Sequence, residues 1–580
     1  MVNDPFQSKL QNIVYNVDAG VGQRLIKTVI VVMTLIALIL FYTAMRFRAL
    51  SDPEAMDYAQ LARNFQKSGQ FTTKYIRPAS IRMLKEFGGG QDTLTTGHPD
   101  IMHPPLYPAL LAASFAIVKP SFAVGTAQRE IFRPEQWVII PFGHACTMIA
   151  GLLLFLTGRL LFEKRVAVLA TSLYFLSNAV WSMSISGLGI PLATVWVMAA
   201  IYCCVRGVQD HEANPSSRSW IVNLALSVLF CVLAGLTRYG TAVIVPALAL
   251  YIALSFKERR GAYAAVFVLA FLLGMSPWMI RNKMVSGAFF GMAPHIALNG
   301  EDPTLDNTYE RSLHPETKRG AILGGIRART VKNLLRFAGG ESQAMGERLV
   351  AALFFVTFFY RFARDPAHRL RWGLLLALAG LVLLGAVMGE PTIRLLHILW
   401  PMALMYGAAF FYVLLDRLQL QIPLQRYAVV GAFVVIAAMP LALTLMLPRA
   451  AVPYPPYYPP YISHICRMLA EDELLCTDVP WATAWYGNRN SVALPRTLDE
   501  FYEIHFKMRL ISGIYFTTIT RDRPYVRSLA NGEFRSWFPI QEGRIPSDFP
   551  LTQGFGLPVN SPHSDQLFLT DRARWKEMER

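Results

Sequence analysis

Hydrophobic runs long enough to cross a bilayer recur along this chain, and they restrict its fold more than any other feature. TVIVVMTLIALILFYTA, residues 28–44, is uncharged and flanked by Lys27 and Arg46, a length suited to a hydrocarbon core about 30 Å thick. No small-residue cleavage site follows it, so the run reads as an uncleaved anchor. Further apolar segments begin near residues 137, 166, 190, 220, 240, 262, 348, 373, 395 and 428, giving about eleven spans by length and charge content. With 53% hydrophobic and 16% charged residues, the composition excludes an ordinary soluble protein of this length.

The connections set an expected orientation. RLLFEKR (159–165), KERR (257–260), RFARDPAHRLR (361–371) and DRLQLQIPLQR (416–426) are basic, as short cytoplasmic loops should be. An N-terminal segment, 1–27, would then lie inside. Three hydrophilic regions would lie outside: 45–136, 282–346 and the tail from about 448. The same loops account for much of the formal net charge of +16, so no nucleic-acid partner is expected. The chain has no N-x-S/T acceptor with x other than Pro, which favours a bacterial cytoplasmic membrane over a secretory-pathway one.

Within the first outer region, SDPEAMDYAQLARNF (51–65) reads as a short helix lying along the membrane surface. Ser51 or Asp52 can cap it, Pro53 suits its first turn, and Ala55, Tyr58 or Ala59, Ala62 and Phe65 recur at helical spacing. HPDIMHPPLYPALLAASFAIV (98–118) follows, with prolines that force an extended entry into a second apolar helix too short to count as a span. After the proline-rich PYPPYYPPY (453–461), the tail alternates helix and strand patterns: ISHICRMLAEDE, LLCTDVP, SVALP, TLDEFYEIHFKM and SGIYFTTI. That alternation predicts an extracytoplasmic α/β domain over 448–580, following a membrane domain over 28–447.

Six cysteines offer no metal spacing. Cys146, Cys203, Cys204 and Cys231 fall in apolar spans as packing residues, whereas Cys466 and Cys476 both lie in the outer tail, where an oxidising compartment would permit pairing.

The chemistry resides in charges at the outer boundary. Asp52 and Glu54 stand in a first helical turn, where acids favour the dipole; Asp57 is explained less well by that account. Arg238 in GLTRYGTA, Arg281 in PWMIRN and Arg394 in GEPTIRLLHILWP fall at outer ends of spans, against the positive-inside trend. Each alone is ordinary snorkelling, but together they stand at headgroup depth opposite an acidic helix. Arginine forks suit phosphate oxygens. The pattern therefore fits transfer of a group from a lipid phosphate, with a carboxylate as general base and arginines on the leaving phosphate. Hydrolysis of a lipid phosphate would use similar parts. A secondary transporter or flippase for an anionic substrate is the rival class, and it would need charged or broken-helix sites at mid-membrane depth.

An acid-x-x-x-Tyr-Ala-x-x-Ala-Arg-Asn helix after the first span, HPPLYPALLA in the same loop, and later TRYG, PWMIRN and RLLHILWP resemble the GT-C glycosyltransferases. The closest branch by these motifs holds the protein O-mannosyltransferases and lipid A aminoarabinose transferases, and the likeness covers about residues 20–415. It implies a GT-C fold, mostly α and polytopic, and a polyprenyl-phosphate monosaccharide donor. The acceptor would be a protein, lipid A or another glycan. It also implies a catalytic acid four residues before Tyr58, namely Glu54. The family's Asp-Glu pair is replaced here by Glu54-Ala55, leaving Glu54, Asp57 and Asp52 as candidates in that order. Arg238, Arg281, Arg394, Lys74, Arg77, Arg82 and His103 are the candidate donor-phosphate contacts, and Tyr58, Tyr107, Tyr239, Trp278 and His397 the candidate pocket. Some GT-C relatives use a divalent ion, which Asp52, Glu54 and Asp57 would hold; no other cofactor is implied. The outer loop 282–346 is a candidate lid, and an oligosaccharide ligase is the runner-up activity within the same class.

Overall fold

In the computed structural model, the described residues are 21–87, 94, 97–125, 131–295, 308–315, 326–327, 329–335, 348–388, 392–447, 458–521, 535–542, 544–553 and 566–571. Among them, eight helices are long and apolar enough to cross a membrane: Leu25–Arg46, Glu135–Leu161, Ile190–Ala213, Ser219–Thr237, Arg260–Ser286, Asp365–Met388, Arg394–Arg417 and Pro423–Met446. A ninth span results if the pair Lys164–Phe175 and Asn178–Ser184, bent by 58°, is counted as one. The expected spans near 240 and 348 are shorter apolar helices among the described residues, Tyr239–Ser255 and Leu349–Phe359, so the eleven expected segments appear as eight long helices, one bent pair and two shorter helices. Short helices pass a window test when apolar residues of adjoining turns are added to them.

Ile190–Ala213 and Arg394–Arg417 form the centre of the bundle, whereas Leu25–Arg46 is almost entirely outward-facing. At one end of the bundle the basic loops meet. Arg165 pairs with Asp416 at 2.9 Å, Arg369 with Glu212 at 2.7 Å, and Arg364 donates to Phe162 O at 3.1 Å.

At the other end lies helix α1 (Pro53–Ser68). Asp52 caps it from an extended backbone, accepting Glu54 N–H at 3.0 Å, Pro53 occupies its first turn, and Gly69 closes it in the left-handed conformation. Residues Ala55–Asn64 are all buried. The helix therefore does not lie bare on the surface: α2 (Leu106–Val118) and α3 (Pro480–Tyr486) pack against it.

The tail contains strands that the segment after the first span completes. In chain order the strands are β1 (Thr72–Thr73), β2 (Tyr75–Ile76), β3 (His98–Pro99), β4 (Leu474–Thr477), β5 (Asn490–Ala493), β6 (Ile511–Phe516), β7 (Thr552–Gln553) and β8 (Leu567–Thr570). The main sheet has the order β2-β5-β4-β6-β8-β7. Strands β2, β5, β4 and β6 run parallel, while β8 and β7 are antiparallel additions. β4 is buried on both faces, as central parallel strands require. Tyr75 and Ile76 pair with Ser491 and Val492, so a strand 416 positions upstream of its partner forms the sheet edge beside the acidic helix. The shared apolar core confirms this continuity, because Trp485, Tyr515 and Phe568 join the cluster that includes membrane-helix residues such as Leu154 and Met198.

The segment after Arg260–Ser286 is anchored at Gly291, whose φ of 57° and close approach to Ile101 O exclude a side chain. Met292 N donates to Ile101 O at 2.9 Å. Most of the rest of loop 282–346, the linker residues 453–457 and the glycines at 88–90 lie outside the described residues. Cys466 and Cys476 are both buried and unbonded, in different apolar clusters, so they form no disulfide.

Candidate active site

Each carboxylate of α1 meets an arginine from a different part of the chain. Asp52 Oδ2 accepts from Arg394 at 2.5 Å. Glu54 is held by both ends of one guanidinium, with Arg238 Nη1 to Oε1 at 2.9 Å and Nη2 to Oε2 at 3.3 Å. Asp57 Oδ2 accepts from Arg77 at 2.7 Å and faces His103 Nε2 at 3.5 Å, while its Oδ1 accepts from Gln60 at 2.9 Å.

Burial separates the three. The Glu54 side chain is 23% exposed and that of Asp52 12%, against 1% for Asp57. Asp57 has no room for an incoming hydroxyl, whereas Glu54 opens to solvent. Glu54 and Asp57, three residues apart on α1, meet different partners.

Asp57 belongs to a buried chain of charges. Arg77, stacked 3.8 Å over the Tyr75 ring, also pairs with Glu310 of loop 282–346, and Tyr75 donates to the same Glu310 oxygen at 2.9 Å. On the other side, His103 Nδ1 lies 3.1 Å from Asp100 Oδ2, and Asp100 Oδ1 accepts the amides of Met102 and His103. Burial disfavours a charge on His103, but the Asp57 and Asp100 carboxylates outweigh it and raise its pKa above 6.5. Burial likewise opposes ionisation of Asp100, and the facing His103 overcomes it, bringing its pKa down to about 2. His98 differs: buried and hydrogen-bonded to Ser80 at 2.7 Å, it is pushed down to about 4 and stays neutral.

Tyr58 packs edge-on to His103 and Tyr107, and Tyr107 donates its hydroxyl to Gly187 O at 2.7 Å. Arg281 lies 4.8 Å over Trp278 and donates to Asp100 O at 2.6 Å and Asn282 Oδ1 at 3.0 Å. Among the described residues it has no carboxylate within ion-pair distance. Tyr239 accepts from Trp278 Nε1 at 2.8 Å and Asn282 at 3.3 Å. Two candidates face elsewhere: Lys74 donates to Asn488 O at 2.9 Å on the tail, and Arg82 pairs with Glu86 on the surface. Burial and then the nearby Arg63 lower Lys74 to about 8. His397 is half-buried in the turn that follows Arg394.

A small apolar pocket lies beside this turn, lined by residues that include Phe354, Leu378, Leu396, Leu399 and Trp400. Among the described residues, no group of three or more His, Cys, Asp or Glu converges as metal ligands. Asp52, Glu54 and Asp57 each face a cation instead, an arrangement that does not fit a shared divalent ion.

Four residues of this region had not been singled out from sequence. Asp100 had a signal, standing three positions before His103. Glu135 accepts Trp485 Nε1, Tyr486 Oη and Leu50 N at 2.8, 2.7 and 3.1 Å; an acid heading an apolar span is itself a warning of this kind. Arg63, fully buried, donates to the carbonyls of Trp485 and Ala484 at 2.7 and 2.5 Å. Glu310 offered no sequence signal.

The model of the dolichyl-phosphate-mannose-protein mannosyltransferase family matches residues 102–280. No curated protein sequence matches significantly. Among solved structures, the oligosaccharyltransferase of Archaeoglobus fulgidus tethered with an acceptor peptide aligns at TM-score 0.57 and 12% identity, over 88% of this chain and 71% of that one. ArnT from Cupriavidus metallidurans aligns in its apo state at 0.55 and 10%, over 95% and 99%. Its undecaprenyl phosphate-bound form aligns at 0.53 and 10%, over 93% and 97%. The chain is therefore a polytopic membrane protein of the GT-C fold, and its residues 102–280 match the mannosyltransferase family within it.

Proposed function

We propose that this protein is an inverting glycosyltransferase that moves a monosaccharide from a polyprenyl phosphate to an acceptor hydroxyl on the outer face of a bacterial cytoplasmic membrane. The observation that carries this reading is the solvent-accessible Glu54 carboxylate held beside Arg238, with Arg394 two residues away through Asp52. Glu54 takes the proton of the acceptor hydroxyl as its oxygen attacks the anomeric carbon. The bond from that carbon to the phosphate oxygen breaks, its electron pair stays on the departing polyprenyl phosphate, and the configuration inverts. Arg238, Arg394 and Arg281 stabilise the charge that accumulates there.

Trp278 and Tyr239 beside Arg281 suit a sugar face. Undecaprenyl phosphate bound to the structurally similar ArnT is consistent with such a donor. The N-terminus would be cytoplasmic and the tail extracytoplasmic, with a protein, lipid A or envelope glycan as acceptor. The Archaeoglobus likeness favours a second reading, transfer of an oligosaccharide. Incubating the purified protein with a panel of polyprenyl-phosphate sugars and membrane extract tests both. Free polyprenyl phosphate released together with incorporated monosaccharide supports the first reading, and activity with lipid-linked oligosaccharides alone supports the second. No consumption of any donor would contradict both.

A further inference from the structure

The proposed base and a proposed phosphate ligand are bound to each other. Both Glu54 oxygens accept from Arg238, so an acceptor hydroxyl must compete with a guanidinium for a carboxylate lone pair. Resting on the transferase reading above, we propose that the donor phosphate frees the base: it draws Arg238 away from Glu54, so that acceptor deprotonation follows donor binding.

The surroundings permit this exchange at Glu54 and oppose it at Asp57. The Glu54 backbone amide remains capped by Asp52 Oδ1 at 3.0 Å, so releasing its carboxylate leaves the helix start intact. Asp57 is 1% exposed and locked by Arg77, Gln60 and His103; breaking its pair would strand a buried charge. The Arg238 side chain is 9% exposed and stands beside the outward-opening Glu54, so a phosphate can approach the pair from the Glu54 side. A guanidinium fork satisfies two phosphate oxygens as well as it does two carboxylate oxygens.

The charges also order the cycle. A sugar phosphodiester carries one negative charge, and the polyprenyl phosphate left after transfer carries up to two. The product therefore holds Arg238 more firmly than the donor does, and its departure lets Arg238 return to Glu54. The base is thus engaged by the arginine whenever the site is empty, and water meets a freed base only when donor is present.

Binding of undecaprenyl phosphate to the purified full-length protein in nanodiscs tests this, comparing the wild type with Glu54→Gln and Glu54→Asp. Glu54→Gln removes the pair and the negative charge together. Glu54→Asp keeps the charge but withdraws the carboxylate by one methylene from Arg238. Release predicts tighter binding by both variants, by about threefold or more. Tightening by Glu54→Gln alone would mean simple charge repulsion and would overturn the proposal, as would unchanged or weaker binding by both. Failure of the wild type to bind undecaprenyl phosphate at all would instead sink the transferase reading beneath it. Thermal melting of each variant confirms that the comparison is between folded proteins.

Discussion

Arg238 donates to both carboxylate oxygens of Glu54, at 2.9 and 3.3 Å, across 184 positions of sequence. The pair joins the helix after the first span to the turn after Ser219–Thr237. If that fork serves the phosphate, its geometry matters as well as its charge. Arg238→Lys keeps the charge and loses the fork, so kcat/KM for the polyprenyl donor should fall on the order of tenfold to a hundredfold. Steady-state kinetics on a folded variant would check it; a change under twofold would remove Arg238 from the phosphate site.

Arg77 should matter for stability first. It lies between Asp57 and Glu310, both paired with it and Asp57 almost wholly buried. Arg77→Met removes the guanidinium from a buried carboxylate and leaves Asp57 only Gln60 and His103, at a cost of about 3–5 kcal/mol. Arg82, paired with Glu86 on the exposed helix face, supplies the control: Arg82→Ala should change stability by less than about 0.5 kcal/mol. Thermal unfolding in detergent separates the two, and equal effects would contradict the assignment of Arg77 to a buried network.

A pH dependence follows from His103. Its pKa is raised above 6.5, since the Asp57 and Asp100 carboxylates outweigh its burial. A raised cationic pKa contributes stability that is fully present below pH 6.5 and is lost as pH rises through the folded value. Asp100, lowered to about 2, behaves oppositely: its contribution is present above the ordinary aspartate range and is lost as pH falls toward 2. The melting temperature of the wild type should therefore decline as pH rises above 6.5, and His103→Gln should flatten that decline. Parallel profiles would place the titration elsewhere.

The short segment after Thr308 is fastened to the tail. Glu500 Oε1 accepts from Ser312 Oγ, Leu313 N and His314 N at 2.8, 3.0 and 3.3 Å, and its Oε2 accepts Arg496 N at 3.1 Å. Glu500→Ala leaves these donors without their acceptor, costing about 1–3 kcal/mol locally. Hydrogen exchange should accelerate at Leu313 and His314 while β4 stays protected. Unchanged exchange would show that other contacts hold the segment.

The local parts of this architecture were legible, and the long-range ones were not. Asp52, Pro53 and the spacing up to Phe65 specify α1 and its start through capping and periodicity, which act within a few residues, whereas the burial of Asp57, Gln60, Arg63 and Asn64 comes from tertiary packing. Leu474–Thr477 lies inside the run LLCTDVP, and Ile511–Phe516 begins one residue before SGIYFTTI, runs whose composition reads as strand. By contrast, Tyr75–Ile76 is only two residues long and becomes a strand because β5 supplies its hydrogen bonds, an event without a local signature. The arginines for Asp52, Glu54 and Asp57 come from Arg394, Arg238 and Arg77, and only tertiary packing decides which acid meets which. The bent pair at 164–184 and the short helix Tyr239–Ser255 were read as ordinary spans because hydropathy averages over breaks in the backbone.

The most direct test of the account is the transfer rate of the wild type against Glu54→Gln, with donor bound to saturation and occupancy checked independently. The account predicts retained donor binding and a loss of transfer of about a hundredfold or more. Transfer within about threefold of the wild-type rate would contradict it, because the residue that accepts the acceptor proton would then be some group other than Glu54.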